Sequence, residues 1–370
     1  MGVPLVDLRP QHAELASELS EAFERVSTTG HLVLGDEVED FEHHLADFCG
    51  SRYAVGMSSG TDALLAALMA VGVGPGDEVV TTPFTFFCTA GCVARLGARP
   101  VFVDIDPNTF NLDASQLDGA ITDKTKAIVP VHLYGQAADM ETVMQLARER
   151  NVPVIEDAAQ ALGAKHRDVP VGTMGAIGCL SFYPTKNLAA LGDGGACITN
   201  DERLAQKLRA LRIHGSTDGK TYPLLGGNFR LDALQAALLN VKLPHVTAWN
   251  LARRALARRY DSLLEQYPVA SPFVSPDGYH VFGVYSVRVF GGQRDALAQH
   301  LTAKEVGCRV YYPVPLHLQP CFRDLGYHRD SFPAAEAAAD EVLALPMYPD
   351  LTRPQQDEVV AAVHEFFEGA

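Results

Sequence analysis

Between residues 54 and 157, short runs of apolar and β-branched residues alternate with longer segments of helical periodicity. Four of these runs have the length and composition of strands: 79–82, 100–103, 127–131 and 152–155. Between the last two, Met140, Val143, Leu146 and Ala147 fall on one helical face. The alternation predicts an α/β fold whose mostly parallel sheet is flanked by helices. Ligands of such folds bind at the carboxyl ends of the strands.

A long helical stretch begins beyond Arg230 and continues to Leu264, and we place the domain change within it, near residue 245. The later segment has two strand-like runs, 281–290 and 308–312, and helical patterns at 295–302 and 334–344. We therefore predict a large ligand-binding domain, residues 1–245, and a smaller C-terminal α+β domain, residues 246–370.

The charge balance limits the class of partner. With 30 basic and 45 acidic residues the net charge is −15, which disfavours nucleic acid and anionic membranes but allows a small phosphorylated ligand. We find no apolar stretch long enough to span a bilayer and no signal-peptide pattern at the start. The seven cysteines are odd in number and lack a CxxC spacing, which predicts reduced thiols and a cytoplasmic protein.

The segment Ser58-Ser59-Gly60-Thr61-Asp62 runs directly into an apolar helical pattern. A helix start offers free N–H groups and a positive dipole end, and Gly60 lets a ligand approach the backbone. The segment is therefore a candidate phosphate site. The alternative is an ordinary N-cap of a buried helix by Ser59 or Thr61.

Two carboxylates, Glu156 and Asp157, close a buried strand at the end where ligands bind. Strand alternation should turn them to opposite faces, and a buried carboxylate is costly without a cationic partner. The alternative for Asp157 is a helix N-cap.

Lys186 differs from the other seven lysines because it follows a strand-like apolar run and precedes the glycine-rich segment 192–195. A partly desolvated lysine has a lowered pKa and can form a Schiff base. The alternative is a surface lysine with a buried stem.

Together these three features match the needs of pyridoxal 5'-phosphate (PLP), which are a Schiff-base lysine, an acid at the pyridine nitrogen and phosphate donors at a helix start. The aromatic run 84–87 offers a face for stacking on the ring. A metal enzyme is disfavoured because no ligand cluster is visible, and a dinucleotide site because no G-x-G-x-x-G follows the first strand.

Over nearly its whole length the sequence resembles the DegT/DnrJ/EryC1/StrS family of sugar aminotransferases, which are fold-type-I PLP enzymes. The motifs that carry the resemblance are GDEVEDFE (35–42), SGTDAL (59–64), EDAAQ (156–160), SFYPTKN (181–187), GDGG (192–195), NFRLDALQAA (228–237) and PLH (315–317).

The resemblance implies roles for matching positions. Lys186 would form the Schiff base, and Asp157 would pair with the ring nitrogen and keep it protonated. The other cofactor-binding positions would be Gln160 near the ring hydroxyl, Phe86 on the ring face, and Ser59, Gly60, Thr61 and Ser181 at the phosphate. These enzymes are homodimers with shared sites, so Asn228 or Arg230 would reach the phosphate of the neighbouring subunit. His317, Tyr183 and His31 would lie near the sugar.

The resemblance also implies the reaction, in which L-glutamate donates an amino group to a keto-sugar linked to a nucleoside diphosphate. Gln160 and the segment 181–193 are most similar to members that aminate C3. Thr185 and Ala189 depart from the usual glycines, which keeps C4 amination open. A non-catalytic, PLP-binding regulatory relative is the alternative from another class, and the retained lysine, aspartate and phosphate loop disfavour it.

Overall fold

The computed structural model of the protein describes residues 2–369, so the outer limits of the two predicted domains, Met1 and Ala370, lie outside the described residues. The helices are α1 Arg9–Glu14, α2 Ala16–Thr29, α3 Asp36–Cys49, α4 Gly60–Ala70, α5 Cys88–Arg95, α6 Leu117–Ala120, α7 Met140–Arg150, α8 Glu202–Leu211, α9 Ala233–Lys242, α10 Val246–Leu264, α11 Arg294–Ala303, α12 Pro333–Glu341 and α13 Arg353–Glu368. The strands are β1 Tyr53–Met57, β2 Glu78–Thr81, β3 Arg99–Phe102, β4 Thr125–Ile128, β5 Ile155–Asp157, β6 Lys165–His166, β7 Val169–Pro170, β8 Ile177–Ser181, β9 Gly195–Thr199, β10 Val269–Ala270, β11 Gly278–Tyr279, β12 Tyr285–Val289 and β13 Val342–Leu345.

The main sheet has the strand order β3-β2-β4-β5-β8-β9-β1. Two parallel bridges, Ile128 to Val154 and Val131 to Asp157, join the β3-β2-β4 part to the β5-β8-β9-β1 part. Strand β9 runs antiparallel to both of its neighbours, and the other pairings are parallel. The predicted mostly parallel sheet is thus confirmed, and the carboxyl ends of β1, β2, β5 and β8 meet at one edge.

Helices cover both faces of this sheet, as a parallel sheet requires. One buried cluster joins the sheet to α2, α3 and α9, and a second joins it to α4, α5 and α8. Helix α4 is buried on nearly every side, from Ala63 through Leu68, which fixes its N-terminus beside the end of β1.

The C-terminal part has its own antiparallel sheet, β10-β12-β13, and its own core, in which the rings of Tyr260 and Tyr285 lie 5.0 Å apart. Helix α10 connects the two regions, since Val246 packs in the first core and Ala257 in the C-terminal one. The division at residue 245 stays a prediction.

Two predicted elements differ in detail. The run 308–312 forms only an isolated bridge, from Arg309 to Ala344, because Pro313 follows and cannot donate to a ladder. The helical pattern at 334–344 ends at Glu341, and the β-branched and aliphatic residues after it form β13. Within residues 2–369, no helix is long and apolar enough to cross a membrane.

Candidate active site

A cavity of about 700 Å³ opens at the sheet edge where β1, β2, β5 and β8 end, and residues 309–319 of the C-terminal part close its other side. Nine of the residues predicted for the site line it: Ser59, Gly60, Thr61, Phe86, Asp157, Gln160, Ser181, Tyr183 and Lys186. The parallel sheet brings them together because each follows or ends a strand on the same edge.

The N-terminus of α4 forms one wall of the cavity. Ser59 is its N-cap, and its Oγ accepts a hydrogen bond from Asp62 N at 3.1 Å. The first helical bond runs from Ala63 N to Ser59 O, so the N–H groups of Gly60 and Thr61 precede the helical ladder. Ser59 is thus the helix N-cap, and this is compatible with the predicted phosphate site, because the N–H groups of the next two residues remain for an anion.

Glycine is required where this wall is tightest. A Cβ on Gly60 would lie 2.6 Å from Ser181 Cβ, and one on Gly195 would lie 2.4 Å from the carbonyl carbon of Ser59. The close approach sets the Ser181 hydroxyl beside the backbone of Gly60, and Thr61 lines the same cavity. This donor set suits a phosphate group.

Asp157 and Glu156 lie on opposite sides of β5, as strand alternation predicts. Asp157 lines the cavity, and its Oδ2 accepts a hydrogen bond from Thr89 Oγ1 at 2.8 Å. Glu156 is fully buried away from the cavity and accepts from the N–H groups of Gly172, Met174 and Gly175 and from His132 Nε2. His132 Nδ1 accepts from Ala138 N, so the ring proton lies on Nε2.

Burial shifts the pKa values of two charged residues of the cavity, Asp157 and Lys186, in opposite directions. Burial raises the pKa of Asp157, although its hydrogen bond with Thr89 opposes the rise. Burial lowers the pKa of Lys186, and the nearby Asp157 carboxylate opposes that fall. A cationic ring nitrogen beside Asp157 would compensate the buried charge, and a lysine that loses its proton readily suits a nucleophile.

Gln160 is held at the cavity by two partners. Its Oε1 accepts from Tyr134 N at 3.0 Å, and its Nε2 donates to Tyr312 OH at 2.9 Å. Phe86 faces the same space, with its ring centroid 6.3 Å from that of Tyr312. A buried acid, a lysine with a lowered pKa, an aromatic face and a phosphate cradle around one cavity fit PLP.

Sequence reasoning missed several lining residues, among them Tyr311, Tyr312 and Arg309. Thr89, which touches Asp157 from behind, was also missed. Tyr311 and Tyr312 stand in an aromatic, proline-flanked segment, a composition typical of ligand walls, but nothing in their spacing connects them to residues 150 positions earlier.

His317 does not line the cavity of this protomer, so its contact with the sugar stays a prediction. Its side chain is fully buried, and its Nε2 lies 3.1 Å from Glu336 Oε1. The neighbouring Leu316 and Gln319 line the cavity instead. Residues 316–318 form a helical turn, so neighbouring side chains point in different directions. The PLH motif does not indicate which of them faces the cavity.

Three other predicted residues, His31, Asn228 and Arg230, lie outside the cavity of this protomer. Asn228 bridges to Ile213, and Arg230 bridges to Met57 at the end of β1. Between them, Phe229 O accepts a hydrogen bond from Ser58 N at 2.9 Å. The segment is therefore anchored next to the phosphate loop, while His31 and Asn228 are exposed.

Comparison with known proteins gives consistent matches. The model of the DegT/DnrJ/EryC1/StrS aminotransferase family matches residues 13–364. A pleiotropic regulatory protein of Geobacillus stearothermophilus is 49% identical, with 99% of each chain covered. The UDP-2-acetamido-2-deoxy-3-oxo-D-glucuronate aminotransferase of Pseudomonas aeruginosa is 41% identical over 98% of this chain and 99% of its own.

Solved structures agree with the sequence relatives. DesV of S. venezuelae, in complex with a ketimine intermediate, superimposes with a TM-score of 0.96 at 41% identity, over 99% of both chains. NtdA from Bacillus subtilis, with bound cofactor PMP, superimposes with a TM-score of 0.90 at 34% identity, over 96% of this chain and 82% of its own.

Proposed function

Because the chain belongs to the DegT/DnrJ/EryC1/StrS aminotransferase family, we propose that it transfers an amino group from L-glutamate to C3 of a keto-sugar linked to a nucleoside diphosphate. The family, the fold, the aminotransferase class and the PLP cofactor predicted from the sequence are confirmed. The identity of the sugar and the roles of single residues are proposals.

One observation carries the proposal: Asp157, Lys186 and the phosphate donors at Gly60 and Thr61 surround a single cavity. When bound, PLP supplies an electron sink that stabilises negative charge at the donor's α-carbon. Asp157 keeps a proton on the ring nitrogen, which strengthens that sink. Lys186 would move the proton between the α-carbon and the cofactor side, because its amine lines the cavity and burial lowers its pKa.

The other lining residues bind and orient. The N–H groups of Gly60 and Thr61 and the Ser181 hydroxyl hold the phosphate, with the Ser59 cap fixing the helix start. Phe86 would cover one face of the ring, and Gln160 would bind the ring hydroxyl, since both line the cavity. Tyr183 is half exposed at the cavity and contacts the sugar.

Amination at C3 is favoured by the 3-oxo substrate named for the Pseudomonas relative. C4 amination of a 4-keto-6-deoxy sugar remains the alternative. The regulatory name of the Geobacillus relative supports a regulatory role. Regulation alone does not require a lysine and an acid with opposed pKa shifts in one cavity, and we therefore favour the enzyme.

A direct assay separates these possibilities. The purified protein, loaded with PLP, is incubated with L-glutamate and a panel of 3-keto and 4-keto nucleotide sugars, and NMR locates the new amino group. We expect amination of 3-keto substrates with release of 2-oxoglutarate. Amination confined to 4-keto sugars would show that the amino group is transferred to C4 and not to C3. Failure to exchange the amino group of glutamate at all would contradict the catalytic proposal.

The working unit that we propose is a homodimer with shared sites. Asn228 and Arg230 do not line the cavity of their own protomer, but their segment is anchored beside its phosphate loop. An arginine can bind phosphate through two hydrogen bonds. Large apolar side chains are exposed in the same outer region, among them Leu32, Val33 and Leu225, the last 90% exposed. Burial against a second copy accounts for such a surface.

Subunit exchange tests the shared site. Lys186→Ala and a double variant, Asn228→Ala with Arg230→Ala, should each be inactive. In random dimers of equal amounts, half are mixed and each has one intact site, so activity should recover to about one quarter. An active monomer, or no recovery after demonstrated exchange, would contradict the proposal.

We also propose a cytoplasmic location and a role in amino-sugar and polysaccharide biosynthesis. Free thiols at all seven cysteines of the described chain support a reducing compartment. Fractionation of cells that produce the protein at native level would test the location.

A further inference from the structure

Asp157 is held from behind by a residue that the proposed mechanism does not use. Thr89 lies in the first turn of α5, is fully buried and does not line the cavity. Its Oγ1 donates to Asp157 Oδ2 at 2.8 Å, and Ala159 N donates to Oδ1 at the longer distance of 3.3 Å. Thr89 is thus the one side-chain donor to this carboxylate among the described residues.

The number of hydrogens available fixes the direction of these bonds. Thr89 Oγ1 also lies 3.2 Å from Thr85 Oγ1, and each hydroxyl has a single hydrogen. An ionised carboxylate only accepts, so Thr89 donates to Asp157 and Thr85 donates to Thr89. The arrangement is a line of donors that ends on Oδ2 and is satisfied when Asp157 carries its charge.

We propose that Thr89 is a positioning residue that keeps Asp157 ionised and oriented towards the cofactor nitrogen. This inference rests on the proposed function only in so far as the cofactor binds in this cavity. Burial raises the pKa of Asp157, and the bond from Thr89 is the largest of the contributions that lower it.

The consequence concerns the proton between Asp157 and the ring nitrogen. Without the Thr89 hydroxyl, the carboxylate is a stronger base, because a hydrogen bond to the charged form favours that form. The proton would then lie on the carboxylate oxygen instead of the ring nitrogen, and the charged pair would become a neutral one. The reaction with the amino donor should therefore become slower, although the cofactor remains bound through its phosphate.

The test uses Thr89→Val, which removes the hydroxyl and keeps the shape, and Thr89→Ser, which restores it. Each full-length variant is loaded with PLP labelled with ¹⁵N in the ring, and the ¹⁵N chemical shift reports whether the nitrogen carries the proton. Thr199→Val is the matched control, since the buried Thr199 hydroxyl donates to Ala176 O, away from the cavity.

We expect Thr89→Val to move the nitrogen signal towards the unprotonated position. The rate of the half-reaction with L-glutamate should fall about tenfold or more, as for loss of a hydrogen bond to a charged group, with little change in KM. Thr89→Ser should recover both, and Thr199→Val should change neither.

An unchanged nitrogen signal in Thr89→Val, or a Thr89→Ser variant as impaired as Thr89→Val, would overturn the proposal. If Thr89→Val does not fold, Thr89→Ala is read by the same signal. Failure of the unmodified protein to bind PLP would instead contradict the proposed function, so the two failures are distinguishable.

Discussion

Charged side chains that line the cavity differ from those in the supporting layer behind it in how completely their hydrogen-bonding capacity is used within the protein. Glu156, in the supporting layer, accepts four hydrogen bonds and has no access to the cavity. Asp157, the next residue, accepts one strong bond and one long one and faces the cavity. A satisfied carboxylate stabilises the fold, whereas one with acceptor capacity left is available to a ligand.

Two lysines, the buried Lys242 and the partly buried Lys186, repeat this contrast. Lys242 Nζ donates to His12 Nε2 at 3.0 Å and to Ala189 O at 2.9 Å, three residues beyond Lys186. No side-chain partner is found within the described chain for the Lys186 amine. Groups of the supporting layer therefore form their hydrogen bonds within the protein. Groups of the cavity wall keep donor and acceptor capacity that a ligand can use. The following predictions test that division.

The largest effect is expected for Lys186→Ala, which removes the amine that moves the proton. Turnover should be lost, while PLP still binds through the α4 N-terminus and Asp157. Absorbance of the bound cofactor and an assay of glutamate-dependent transamination would measure both. Borohydride should attach the cofactor to the Lys186 peptide of the unmodified protein and to none in the variant.

Lys165→Ala is the control for that experiment, because Lys165 is exposed on β6. It should retain full turnover. A label on Lys165, or residual turnover in Lys186→Ala, would show that the wall has been assigned wrongly.

The next largest effect is expected for Asp157→Asn, which keeps the shape and removes the charge. Loss of a group that stabilises developing charge should slow the glutamate half-reaction by about 100-fold or more. Stopped-flow absorbance would measure the rate. The division fails if Glu156→Gln slows the half-reaction equally.

Glu156→Gln should act on stability instead. The amide replaces one acceptor oxygen by a donor that faces backbone N–H groups, and breaking this buried set should lower the free energy of unfolding by about 3 kcal/mol. Urea unfolding measures the change, with Asp157→Asn as the matched comparison. Normal stability in Glu156→Gln would contradict a supporting role.

The smallest effect concerns Lys242, whose pKa is lowered to about 8 by burial. The unfolded chain holds that proton up to about pH 10.4, so it binds more protons than the folded chain between pH 8 and 10.4. The contribution of Lys242 to the free energy of unfolding should therefore increase with pH across this window, by about 2 kcal/mol. His12, its hydrogen-bond partner, titrates below pH 6.5 and lies outside the window.

Urea unfolding at pH 7.5, 9 and 10 compares the unmodified protein with Lys242→Met, which should lack this increase. Lys126→Met, at an exposed position of β4, should retain it. Parallel pH dependence in the unmodified protein and Lys242→Met would mean that Lys242 does not carry a buried charge.

Much of the cavity wall could be predicted because its parts are local in sequence. The strand-loop-helix transition at 57–60 and the strand-to-loop transition at 155–158 place polar residues at strand ends, and a parallel sheet collects those ends at one edge. Lys186 was recognisable because a lysine between an apolar run and a glycine-rich loop is rare in this chain. The strand ends and Lys186 could both be recognised from residues that are close together in the sequence, because composition and periodicity describe such short segments.

The second half of the wall could not be predicted in this way. Residues 309–319 reach the cavity only because the C-terminal part folds back over the sheet edge. The burial of His317 could not be predicted for a related reason. A short helical turn decides which side of the motif faces inward, and the His317 ring packs against Glu336 and Phe332.

The sequence by itself determined the α/β fold, and it indicated that Lys186, Asp157 and the segment 59–61 lie together at the strand ends, where they line the cavity. Only the tertiary structure decided which side chains complete the site: Thr89 bonds Asp157 across 68 positions, and Tyr312 bonds Gln160 across 152. Periodicity reports which face of an element is buried, but a hydrogen bond needs atoms within about 3 Å. That precision arises only when distant segments pack against each other.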